Sequence, residues 1–209
     1  MALSLVIALP LGVYAAVRHD TAADLIASLA SLAGVAMPSF WLAMLMIYLF
    51  ALDLGVLPAS GFVPFFEDPG ANLRHLILPV VVLGTEAAAG LTRQIRSAML
   101  EVLGQDYVRT ARAKGLPARG VVWRHALRNA LIPVVTIIGL RVARLLGGAT
   151  VVETVFAIPG LGRLAVESIF NRDFPVIQAI VLVAALAVLL VNLLTDLLYG
   201  YIDPRIRYA

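Results

Sequence analysis

Cysteine is absent from this chain, so no disulfide and no thiolate metal site can take part in its fold. Charge is scarce too: Asp, Glu, Lys and Arg make up 14% of the 209 residues, against about a quarter in ordinary soluble domains. A net charge of +3 is too small to argue for nucleic acid as a partner. The pattern G-x-x-x-x-G-K-[ST] occurs nowhere, which excludes ATP binding by a P-loop. His19, His75 and His125 fall in different loops without metal-ligand spacing, so no metal is expected. Internal repeats are missing, as are the short alternating strands of a β-barrel. Residues 1–17 carry neither a positive n-region nor a small-residue cleavage site, and make a poor signal peptide.

What the chain has is apolar length. Hydrophobic residues make up 61% of it. Five segments, 1–17, 25–52, 73–91, 131–152 and 176–202, approach or exceed the roughly 20 apolar residues that span a bilayer. They are apolar all round rather than striped, as lipid-embedded helices are. Only closed backbone hydrogen bonding survives in lipid, which favours helices. The expected fold is an all-α, polytopic helical bundle in a membrane, with residues 1–209 as one transmembrane domain. Pro38 and Pro79 each remove one helix hydrogen bond, a loss that neighbours in a bundle can compensate. Gly84, Gly90, Gly139, Gly147 and Gly148 offer flat surfaces for close helix packing.

The few charges are unevenly placed. Eight of the sixteen Lys and Arg residues lie from Arg93 to Arg128. Assigning loops to alternate sides of five spans leaves eleven basic residues on one side and three on the other. Arg141 and Arg144 stand inside the fourth span. The positive-inside rule then puts the loop 93–130 and the C-terminus in the cytoplasm.

Within that loop, two short helices joined by a turn are expected. Asp106 is a favourable N-cap, Gly115 a natural C′ stop, and Pro117 fits the first turn of the next helix. Tyr107, Val108 and Ala111 share an arc of about 100°, with Arg109 and Arg112 beside it. Trp123, Ala126, Leu127 and Ala130 share another, while Arg124, His125, Arg128 and Asn129 face away. The second helix suits the membrane interface; the first has too little apolar surface to insert and suits a protein groove. On this ground alone, a basic loop that merely satisfies the positive-inside rule is an equal reading.

The run from Asp106 to Leu116, DYVRTARAKGL, followed by RHALRNALIPV from Arg124 to Val134, resembles the cytoplasmic coupling loop of binding-protein-dependent ABC importer permeases. That family's pattern is E-A-A, three residues, G, nine residues, I-x-L-P. Here Arg109, Thr110 and Ala111 stand at the E-A-A positions and Gly115 matches the glycine. His125 to Arg128 stand at I-x-L-P, with the proline displaced to Pro133. The leading Glu is thus absent, yet the form is that of the dipeptide, oligopeptide and nickel subfamily. Glu153 to Phe156 with Pro159 to Arg163, then Arg172 to Pro175, resembles that subfamily's outer loop. Asn192 to Tyr199, ending in Asp203 to Arg207, resembles its last helix and tail. The resemblance runs from about Val13 to Arg207.

It implies a type I ABC importer permease core in a bacterial or archaeal inner membrane. Such a chain pairs with a homologous second permease and two cytoplasmic ATPase subunits, which bind the ATP and Mg. It is fed by an extracytoplasmic solute-binding protein. It would be a transport subunit rather than an enzyme, binding no cofactor of its own and moving peptides or similar small solutes. ATPase coupling falls to Asp106, Tyr107, Val108, Arg109, Ala111, Arg112, Lys114 and Gly115. Relatives carry a further N-terminal helix and an extracytoplasmic segment, so the chain is expected to begin inside a longer protein or to have a late-assigned start.

Some ionisable or polar residues fall at membrane depth, where burial is expensive and often functional. Arg141 and Arg144 lie three apart on one helical face, and Glu86 could pair with one of them, either lining a pathway or forming a structural pair. Asn192 and Asp196, four apart, are expected to hydrogen-bond between helices. An inactive or assembly-only truncated subunit is the alternative function. A secondary transporter is another, though it would use inverted repeats.

Overall fold

A computed structural model describes residues 1–146 and 149–202. These residues form helices and connecting turns. The first helix, α1, is Ala2–Val17, and α2 is Ala22–Ala36. The segment expected as one span, 25–52, is interrupted at Met37 and Pro38. Proline lacks the amide proton and disfavours the helical region for the residue before it. Pro38 takes extended torsions (φ −63°, ψ 135°) as N-cap of α3, Ser39–Met46, which runs on into a wide π-turn, Ile47–Asp53. Pro10, Pro79 and Pro133, by contrast, stay inside helices.

Helix α4, Pro69–Leu103, starts with Pro69 just inside the end and the Asp68 carboxylate accepting from the Ala71 N–H at 2.9 Å. Its 35 residues extend the expected span 73–91 at both ends. At about 52 Å it far exceeds a hydrocarbon core of about 30 Å. The stretch 93–103, read as loop from its arginines, is therefore helix. Helix α5 is Asp106–Ala113. Helix α6, Ala118–Gly120, a π-turn over Val121–Ala126, and α7, Leu127–Leu146, join into one stretch of 29 residues. The interfacial helix expected around Trp123 is thus continuous with the span after it. That span is described as far as Leu146, and Thr150–Val155, expected as its end, forms a separate helix; Gly147 and Gly148 lie outside the described residues, as does the tail from Asp203. Helices α8, Thr150–Val155, α9, Leu161–Phe170, and α10, Phe174–Ile202, complete the chain.

Three stretches, 69–103, 118–146 and 174–197, are long and apolar enough to cross a membrane, and the interrupted pair 22–36 and 39–53 makes a fourth if counted as one span. Helix α1 is apolar but shorter. On α10, Leu182, Leu189 and Leu197 are each more than 60% exposed. A continuous apolar surface of that kind would be a liability in water, and fits a lipid environment.

The chain divides into two compact units. The first takes Met1–Ala36, Ala87–Gly139 and the stretch from Leu193. Its core gathers Val13, Leu91, Ile95, Met99, Leu127 and Val134. Small residues let these helices approach closely. A Cβ on Gly12 would lie 2.8 Å from that of Ile95, and one on Gly139 would collide with Thr195. The second unit takes Met37–Glu86 and Leu140–Asn192. Its core is Ala43, Leu78, Val82, Val152 and Phe156, with α3 packed on α8.

In the second unit the run resembling an outer loop is tied together by one carboxylate. Glu153 accepts from the Ala149 N–H (3.0 Å) and from the Arg163 N–H (2.9 Å). The second bond caps α9, whose N-cap, Gly160, has no side chain to do so. A side chain there would collide with the Glu153 carboxylate, and a Cβ on Gly162 would sit 2.7 Å from the Thr150 Cα. The Pro-Gly-Leu-Gly-Arg run is therefore shaped by close approach to the helix before it.

Candidate functional site

The basic loop forms a corner at the end of α4. Gly104 and Gln105 separate the two helices, and Gln105, not Asp106, is the N-cap of α5, with extended torsions (φ −73°, ψ 150°) and no side-chain cap bond. Asp106 is the first helical residue, where a carboxylate still complements the N-terminal partial charge. It faces the Arg109 guanidinium at 3.6 Å, but both side chains are largely exposed, so the pair adds little stability. The far end closes as expected. Gly115 has φ +75°, its N–H bonds the Arg112 carbonyl (2.9 Å), and the Leu116 N–H reaches the Ala111 carbonyl (3.4 Å). Those two bonds with a left-handed residue between them make a Schellman motif.

Burial then sorts the α5 residues. Val108 and Ala111 are buried, packed with Val121 against Val102 and Leu103. The apolar arc that a groove would have needed is thus already covered by the end of α4 and the π-turn. Facing outward are Asp106, Arg109, Arg112, Lys114 and Gly115. Tyr107 is 42% exposed, its phenol accepting from Asn129 Nδ2 at 2.8 Å. Arg119, Arg124 and Arg128 are exposed nearby in sequence. The surface presented by α5 is cationic rather than greasy.

On the following stretch Ala126, Leu127 and Ala130 are buried together, as their spacing implied, but Trp123 is 52% exposed. The π-turn over Val121–Ala126 shifts the register, so the simple arc fails one turn upstream. Trp123 instead borders an open apolar groove with Pro10, Tyr14 and Val17 of α1.

A further polar cluster joins α2 to α4. Arg96, on α4, reaches the carboxylate of Asp24, on α2, through two bonds: Nε to Oδ1 at 2.5 Å and Nη2 to Oδ2 at 2.7 Å. Asp24 also accepts from the Asp20 N–H at 3.2 Å and lies 3.3 Å from His19 Nδ1. Its side chain is 7% exposed and that of Arg96 26%. Asp20 takes a left-handed φ of 60° to bring its amide round. His19, Asp20 and Asp24 stand within 4.8 Å of one another, a spacing that resembles a metal cluster. Both Asp24 oxygens are engaged by Arg96, however, so its guanidinium stands where a cation would bind. The sequence offered half a signal, since Thr21-Ala22-Ala23-Asp24 fits a capping box. The partner, 72 positions away, was invisible.

The polar residues expected at membrane depth differ in burial. Glu86 is exposed and belongs to none of the ion pairs among the described residues, while Arg144 is exposed and Arg141 partly buried. Asn192 is partly buried and Asp196 exposed. At that level of α10 the buried polar residue is Thr195, set against Gly139.

The class defined so far is an all-helical membrane protein that holds a short basic helix at the end of a long one. The chain belongs to the family of binding-protein-dependent transport system inner membrane components, whose model matches residues 8–208. It is 45% identical over 208 residues to the oligopeptide transport system permease protein AppB of Bacillus subtilis (strain 168), covering 99% of this chain and 66% of that protein. It is 44% identical over 225 residues to the dipeptide transport system permease protein DppB of Escherichia coli (strain K12), covering 97% and 66%. The DppB of Alkalihalophilus pseudofirmus is 43% identical over 228 residues, covering 100% and 68%. The chain therefore spans about two thirds of the length of these curated relatives.

Proposed function

We propose that this chain is the membrane-spanning permease subunit of an ATP-driven importer that moves peptides or similar small solutes. In this reading it has five spans in a type I importer core: α1, the interrupted pair α2 and α3, α4, the stretch 118–146, and α10. The basic loop and the C-terminus face the cytoplasm. Its partners are a second, homologous permease, two ATPase subunits that hold ATP and Mg, and an extracytoplasmic binding protein that delivers the solute.

The observation that carries the reading is the build of the α4–α5 corner. A cationic helix of eight residues is held to its loop by buried Val108 and Ala111 and closed by a glycine turn. It leaves Arg109, Arg112 and Lys114 exposed, Arg109 held only by a weak surface pair with Asp106, to meet acidic groups on an ATPase. Closure of the ATPases would push on α5. Only two residues, Gly104 and Gln105, separate it from α4, so little of the displacement is absorbed before it reaches a rigid helix. Asp106, Tyr107 and Gly115 keep the docking helix in shape, and Val108 and Ala111 hold it in place.

Copurification and uptake test this. Expressed together with a candidate ATPase and a second, homologous permease, the chain should copurify with both. Proteoliposomes supplied with binding protein should then accumulate a labelled dipeptide or oligopeptide only when ATP is present on the ATPase side. Uptake driven by an ion gradient without ATP would instead support a secondary transporter.

A further inference from the structure

Helix α2 is poorly held by apolar packing. Leu25, Ile26, Leu29 and Leu32 are each more than half exposed, and its buried residues are Asp24 and Ser31. Two contacts fix its alignment on α4. At one end Asp24 takes both bonds from Arg96. Ten residues on, Gly34 approaches Ala89 so closely that a Cβ on the glycine would lie 2.8 Å from that of the alanine. The order of these contacts, 24 with 96 and 34 with 89, makes the two helices antiparallel. Every other ion pair among the described residues joins side chains no more than five positions apart. The Asp24–Arg96 pair is long-range and bidentate, with Asp24 buried and Arg96 partly so; two charge-assisted bonds fix its geometry, and removing one partner strands the other.

Its position matters as much as its geometry. Arg96 lies seven residues before the end of α4, about 10 Å of helix from the corner that carries α5. We propose that Asp24 and Arg96 are positioning residues that clamp α2 to the α5-bearing end of α4. Displacement of α5 is thereby delivered to two membrane helices at once. This rests on the reading of the chain as an ATP-driven importer subunit and names the second element that receives the push. Asp20 and His19 orient the carboxylate from the N-terminal side of α2.

The test uses the complete importer in proteoliposomes, with uptake and ATP hydrolysis measured on the same vesicles. Asp24→Asn and Arg96→Gln should each lower solute taken up per ATP hydrolysed by about tenfold. The exchanged pair, Asp24→Arg with Arg96→Asp, restores the ion pair but not the Asp20 amide bond, and should recover part of it. A purely structural role would lower the yield of assembled complex and leave the ratio per complex at the wild-type value, and that result overturns the proposal. Should the single variants fail to assemble, a measurement on the otherwise wild-type chain decides. The absence of cysteine allows spin labels at Ala22→Cys and Glu101→Cys alone. Their distance should be the same in the nucleotide-free and ATP-trapped complex; a change between those states refutes the clamp. If the wild-type complex shows no ATP-driven uptake, the importer reading fails by itself. The same labels on the solubilised chain still decide the clamp, since Asp24→Asn should broaden their distance distribution, and an unbroadened one refutes it.

Discussion

Asp24 in the first unit and Glu153 in the second sit in the first turn of a helix, and each accepts from the backbone N–H four positions earlier. They differ in what neutralises them. Asp24 is held by a guanidinium from another helix, whereas Glu153 takes a second backbone amide, that of Arg163. A charged partner gives a bidentate link, but one that leaves a partly buried cation behind when it breaks. A backbone partner gives a weaker link that leaves only an amide. The contrast fits the two settings: a long-range tie beside the basic corner, and a local staple that shapes a loop.

Breaking each carboxylate should therefore give different penalties, read as thermal unfolding of the solubilised chain. Asp24→Ala strands Arg96 and should cost about 3 kcal/mol, the low end for a broken buried pair because Arg96 is partly exposed. The exchanged pair should recover part of this, since it restores the ion pair but not the Asp20 amide bond; a cost of Asp24→Ala under about 1 kcal/mol would mean that the link is no stronger than a surface pair. In the second unit, Gly162→Ala forces a Cβ onto the Thr150 backbone and should cost about 2 kcal/mol. Glu153→Gln keeps one carbonyl oxygen but turns the other end into a donor facing an N–H, and should cost about 1–2 kcal/mol. Smallest of all, Tyr107→Phe removes an exposed bond to Asn129 and should cost about 0.5 kcal/mol. If Glu153→Gln proved as costly as Asp24→Ala, the distinction between charged and backbone neutralisation would fail.

Local signals were legible in the sequence. Apolar runs marked α1, α4, α7 and α10, and Gly115 marked the end of α5 through its freedom to take positive φ. What could not be read was long-range or a matter of register. In the sequence Asp24 is one more acid in a first helical turn, and its partner sits in a basic stretch that only the structure shows to be helix as far as Leu103. Trp123 fell off its expected arc because a π-turn cannot be seen in a 3.6-residue period. Val108 and Ala111 were correctly placed on one face, yet spacing alone could not tell whether that face meets a partner or the chain itself. Pro38 and Pro79 read alike, and only Pro38 ended a helix.

The central claim is that α5 passes a push from ATP hydrolysis into the membrane helices, and Gly115→Val addresses it most directly. No atom crowds the glycine, so the substitution acts through backbone conformation alone, at about 1–2 kcal/mol for a side chain in the left-handed region. In proteoliposomes holding the whole importer, hydrolysis and uptake are measured together. The account expects hydrolysis to continue while uptake per ATP falls well below wild type. A wild-type ratio in a complex that carries the substitution would contradict it.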